Sequence, residues 1–100
     1  MDPFEALAEP HRRLILDLLR SGERSAGELV SELSSSQPNV SKHLKLLREA
    51  GLVRVRAEGQ RRFYCLDPRG IAELDGWLRP YRQLWADRLD NLEAHLEREQ

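Results

Sequence analysis

The chain has 100 residues, of which 40% are hydrophobic and 33% charged, with a net charge of −1. That length fits one domain with a modest core, and the short apolar runs exclude a membrane-spanning helix of about 20 residues. A single cysteine, Cys65, excludes an internal disulfide and a thiolate cluster, and the absence of a basic-then-apolar leader at the N-terminus makes the cytoplasm the expected location.

Residues 3–8 (PFEALA) suit one short helical turn. Pro10 suits the first turn of a second helix, because its missing N–H would be unpaired there anyway. Leu14, Ile15, Leu18 and Leu19 are the expected buried stripe of that helix, and Gly22 ends it. Ser25 and Glu28 have capping-box spacing and open a short helix with Ala26, Leu29, Val30 and Leu33 apolar. Serines 34 to 36 make the connection. A further helix is expected over 36–50, with Gly51 where a left-handed helix end is wanted.

From Leu52 the period changes from helical to alternating. Val53 and Val55 share one side and Arg54 and Arg56 the other; Glu58-Gly59-Gln60 is turn chemistry, and Arg61 to Leu66 returns. This predicts a β-hairpin over 53–66. Alternation leaves open which of Phe63 and Tyr64 points inward. The last helix is expected over 69–98, where Leu74, Leu78, Tyr81, Trp85, Leu89, Leu92 and Leu96 recur at spacings of three and four, close to a heptad seam. Pro80 is expected to kink this helix or to start a new one. The fold class is therefore mostly α with a small β-hairpin, a winged helix-turn-helix in a single domain over 1–100.

Charge is unevenly distributed. Residues 36–66 carry a net +5, and the segments on either side −3 each. A basic centre between acidic flanks is the footprint of a localised polyanion site. With Val40 at zero on a helical wheel, Leu44 and Leu47 fall within about 40° of it, while Ser41, Lys42 and Lys45 lie on the far side. Short polar side chains can reach a groove floor, and lysines can reach the phosphates at its edges. Arg56, Arg61 and Arg62 fit a wing that touches phosphate or the minor groove.

The stretches SQPNVSKHLKLLREAGLVRVR, EGQRRFYCLD and EALAEPHRRLILDLL closely resemble the ArsR-type (arsenical-repressor-like) bacterial regulators. The resemblance covers roughly residues 4 to 67. It implies a homodimeric winged-helix repressor on an inverted repeat in double-stranded DNA, dimerising through its first and last helices. It carries base-reading positions over to Gln37, Ser41 and His43, with Ser36 and Asn39 beside them. His43 lies on the flank of the apolar stripe, so packing against the second helix is its other available role. Phe4, Leu7, Leu74, Leu78, Tyr81, Trp85, Leu89 and Leu92 are the expected dimer interface.

Metal-binding relatives carry a motif of roughly E-L-C-x-C-D-L. Here that stretch is ELVSEL, with Val30 and Glu32 in place of the cysteines. A second family site would fall near Asp87, Asp90 and His95, but a second histidine is missing and the spacing differs. His11 and His43 stand isolated in the sequence. No metal or other cofactor is therefore expected, and an inducer is not expected either. Trp77, Tyr81 and Trp85 suit an aromatic dimer core better than a small-molecule pocket. No nucleophile–base pair, paired carboxylate motif or phosphate loop points to an enzyme. The alternative to DNA binding is a winged-helix protein-interaction module. Such modules tend to replace the polar and basic residues of the outer helix face, and here those residues remain.

Overall fold

Prolines open four of the five helices in the computed structural model, which describes residues 1–98. These are α1 (Pro3–Ala6), α2 (Pro10–Leu19), α4 (Gln37–Glu49) and α5 (Pro68–Arg98); α3 spans Ala26–Leu33. Side chains one residue ahead close the first turns. Asp2 accepts from the Glu5 N–H, Glu9 from Arg12, Ser25 from Glu28 and Ser36 from Asn39. Each satisfies a backbone donor that the helix itself leaves orphaned. Ser34 ends α3 in the left-handed conformation, at φ 50°. Gly51 ends α4 at φ 73°, as its position in the sequence predicts.

Strands β2 (Val53–Glu58) and β3 (Arg61–Leu66) form the expected hairpin, in register Val53↔Leu66 to Glu58↔Arg61 around Gly59 and Gln60. A third strand, β1 (Arg24–Ser25), pairs with Tyr64 and Phe63 on the free edge of β3 and gives the order β1-β3-β2. Tyr64 turns inward and is buried, whereas Phe63 is half-buried. The core gathers Ile15, Leu16 and Leu19 of α2, Leu29 of α3, Val40, Leu44 and Leu47 of α4, and Leu52, Val53 and Tyr64 from the sheet side.

One expectation is corrected and another narrowed. The buried face of α2 is Arg12, Ile15, Leu16 and Leu19, while Leu14 is 48% exposed and Leu18 only half-buried. The helix is turned toward Leu16 by Arg12, whose guanidinium donates to the carbonyls of Ala6 at 2.7 Å and Glu5 at 3.3 Å. This satisfies the C-terminal end of α1 and fixes the face of α2 that turns inward. Of the two alternatives for Pro80, the start of a new helix is ruled out, for α5 is continuous from Pro68 to Arg98. Only its first turns rest on the core; every residue from Gly76 to Arg98 is exposed. The molecule is accordingly 63 Å long and 24 × 23 Å across.

The joint between α4 and α5 is built from backbone. The Asp67 N–H donates to the Leu52 carbonyl and the Gly70 N–H to the Gly51 carbonyl, both at 2.8 Å. The Asp67 side chain is 1% exposed and accepts from the Arg69 N–H and the Arg69 guanidinium, which hold its carboxyl down to about 2 from the usual 3.8. A depressed carboxylate pKa contributes stability above its unfolded value and loses it as pH falls through the folded one. Asp67→Asn is therefore expected to lower the melting midpoint at neutral pH. It should also flatten the acid limb between about pH 4 and pH 2, as read by circular dichroism melts at fixed concentration.

Candidate nucleic-acid interface

The face of α4 opposite the core carries Gln37, Asn39, Ser41, Lys42 and Lys45, all exposed. The core itself dictates this. Val40, Leu44 and Leu47 turn inward at helical spacing, which leaves Ser41, Lys42 and Lys45 on the opposite side of the helix. Ser36 is also exposed, but its hydroxyl is engaged as the helix cap, accepting the Asn39 N–H at 3.3 Å.

The wing meets this helix on the same side of the molecule. Gln37 and Ser41 of α4 line an open concavity of about 350 Å³ together with Gln60, Arg61 and Arg62 of the hairpin tip and Tyr64 below them. A second concavity, of about 590 Å³, lies past the far end of α4 and is lined by Lys45, Arg48 and Arg54 among others. Arg48 and Arg54 were not singled out from the sequence as site residues. The charge excess of residues 36–66 already contained them, but only the fold puts them beside Lys45.

Six of the seven basic side chains of that central segment make no ion pair among the described residues: Lys42, Lys45, Arg48, Arg54, Arg61 and Arg62. Arg61 instead lies over the Phe63 ring at 5.0 Å. The exception is Arg56. It is bound by Glu23 at 2.6 Å and by Glu58 at 2.9 Å; these carboxylates push its pKa up, and the Arg56 guanidinium in turn holds the Glu23 carboxyl below the usual range. Arg56 thus ties the wing to the segment before β1 rather than presenting a free charge. Like-signed groups left uncompensated on one face create a field that attracts a polyanion.

His43 is the other residue whose surroundings differ from those of its neighbours. It leaves the exposed face and packs half-buried toward the start of α2, its ring stacked on His11 with centroids 6.0 Å apart. Desolvation there pushes its pKa down.

The profile of the family described as "Bacterial regulatory protein, arsR family" matches residues 9–55, which run from the cap of α2 into β2. The transcriptional repressor SdpR of Bacillus subtilis is 33% identical over 75 residues, 75% of this chain and 83% of that protein. The chain belongs to the ArsR family. Within the family it is also 48% identical to the HTH-type transcriptional regulator Rv2034 of Mycobacterium tuberculosis over 71 residues, which make up 71% of this chain and 66% of that regulator. Among solved structures it resembles the homodimeric winged helix-turn-helix DNA-binding domain of Mb0332 from Mycobacterium bovis, a possible ArsR-family regulator. The TM-score is 0.67 at 31% identity, covering 81% of this chain and 75% of that one. This ArsR-family protein is a transcriptional regulator on a winged helix-turn-helix scaffold.

On that scaffold the expected interface residues divide. Leu78, Tyr81, Trp85, Leu89 and Leu92 are large, apolar and exposed along α5, and Phe4 is exposed with its ring edge-on to Trp77 at 5.7 Å. Leu7 and Leu74 are half-buried against this chain's own core.

Proposed function

We propose that this ArsR-family regulator is a homodimeric repressor that binds an inverted repeat in double-stranded DNA. The carrying observation is the shared face of α4 and the wing, where Gln37, Ser41, Arg61 and Arg62 meet and the surrounding cations make no ion pair among the described residues. In this reading α4 enters the major groove. Gln37 and Asn39 can read adenine bidentately, and Ser41 permits close approach. Lys42 and Lys45 reach the phosphates at the groove edges, and Arg61 and Arg62 hold the adjacent backbone or minor groove. Ser36 acts as the cap that points the helix, and Arg56 braces the wing. The homodimeric Mycobacterium bovis domain and the Bacillus subtilis repressor support the dimer and the sign of regulation. Two copies of α4 related by a two-fold would sit about 34 Å apart, one helical turn of DNA.

Fluorescence-polarisation titrations against the DNA upstream of the gene test this reading. Affinity is expected to fall steeply with salt, because bound phosphates release counterions. Lys42→Ala should weaken binding to all sequences alike and lower the salt slope by about one. Gln37→Ala should instead relax choice at particular base pairs, by about 1–3 kcal/mol each. Salt-independent binding, or equal losses at every position for both variants, contradicts the assignment.

A further inference from the structure

We propose that Glu9, His11 and His43 form a binding site for a borderline divalent cation of the zinc class. The three side chains come from the cap and first turn of α2 and from the middle of α4, and one potential ligand atom from each lies within 4.8 Å of the others. His11 Nδ1 stands 3.0 Å from Glu9 Oε1. His43 Nε2 stops 3.9 Å from Glu9 Oε2, beyond hydrogen-bond reach, and His43 Nδ1 is buried without a hydrogen-bond partner among the described residues. Nε2, which faces Glu9 without a hydrogen bond to it, is therefore the His43 nitrogen placed to take a ligand.

Two imidazoles and one carboxylate make an N₂O donor set, which suits zinc and its neighbours, with a fourth position left for water. Zinc bonds of about 2.0–2.1 Å put tetrahedral ligand atoms roughly 3.3 Å apart. The Glu9–His11 pair is already near that spacing. Closing the remaining distance asks for side-chain rotation, and His11 is 59% exposed and free to supply it. Two permanent cations act on His43, Arg12 and Lys42; the Arg12 guanidinium is turned to the carbonyls of Ala6 and Glu5. The site shares no residue with Val30 and Glu32 or with Asp87, Asp90 and His95, the positions to which the family resemblance points for metal. Its consequence is mechanical: a cation there bridges the start of α2 to the helix that bears Ser41 and Lys42.

The test uses the full chain with cobalt(II) as the spectroscopic probe and zinc(II) as its competitor. One cobalt per chain is expected, with visible absorption bands displaced by zinc, and zinc should raise the melting midpoint as a ligand of the native state does. His11→Asn should weaken binding by more than the roughly 10–100-fold that loss of an outer-shell partner costs. His11 is exposed, so the metal-free melting midpoint of that variant should match the parent. His95→Asn should bind as the parent does. Absence of saturable binding, or equal cobalt affinity in the parent and His11→Asn, overturns the site; so does loss of binding in His95→Asn with retention in His11→Asn.

Discussion

With the proposed homodimer, Leu89→Glu is expected to leave an 11.6 kDa monomer in sedimentation and to cut affinity for the proposed operator by roughly 10²–10⁴-fold. The argument starts from α5. Beyond Asp75 this helix touches no core, yet it displays Trp77, Leu78, Tyr81, Leu84, Trp85, Leu89, Leu92 and Leu96 in the open, with Trp85 at 60% and Leu89 at 58%. A contiguous apolar stripe of this kind is rare on a soluble monomer. Burying each large side chain contributes about 1.5–3 kcal/mol. A two-fold interface is self-complementary, so one substitution enters it twice and brings two carboxylates into an apolar seam. On the proposed homodimer, losing the interface would separate the two DNA-contacting faces, and the second half-site would then gain nothing from the first. No residue of the core cluster lies beyond Leu74, so the winged domain itself should keep its fold. A dimer that survives Leu89→Glu with unchanged affinity would contradict this use of α5.

Gly70→Ala is expected to be the most damaging single methyl group in the chain. A Cβ at Gly70 would lie 2.6 Å from the Gly51 carbonyl oxygen, 2.8 Å from its carbon and 2.9 Å from Leu52 Cδ2. Two of those three atoms are backbone and cannot rotate aside. The Gly70 N–H also donates to the same Gly51 carbonyl, so any retreat of α5 stretches that bond. Overpacking of this kind costs about 1–3 kcal/mol, and near 100 residues each kcal/mol moves the melting midpoint by about 4–8 °C. Gly76→Ala is the control, because nothing lies within 4 Å of a Cβ there and alanine favours the helix. Equal melting points for the two variants would remove the close approach as the reason for glycine at 70.

Much of the architecture was legible because short-range rules and the fold agree. Pro10, Ser25, Ser36 and Gly51 mark helix ends by local chemistry, and the structure uses each one as its position implies. Alternation marked the hairpin from Val53 to Leu66. The two-residue strand β1 left no pattern, since a strand that short exists only through its pairing with Phe63 and Tyr64. Leu14 and Leu16 are equivalent by hydropathy and one helical turn cannot rank them. The Arg12 bonds to the end of α1 decide which is buried.

The candidate site divides along the same line. Sequence alone determined that residues 36–66 carry an excess of positive charge, and that Ser41, Lys42 and Lys45 face away from Val40, Leu44 and Leu47. Both follow from counting and from the 3.6-residue period. Only the tertiary structure decided which charges stay uncompensated and which of its two available roles His43 takes up in the fold. Glu23 lies far from Arg56 in the chain and Glu9 far from His43, and side chains so separated find each other only when the core brings their helices and strands together. Periodicity assigns a residue to a side of its own element, whereas long-range packing supplies its neighbour.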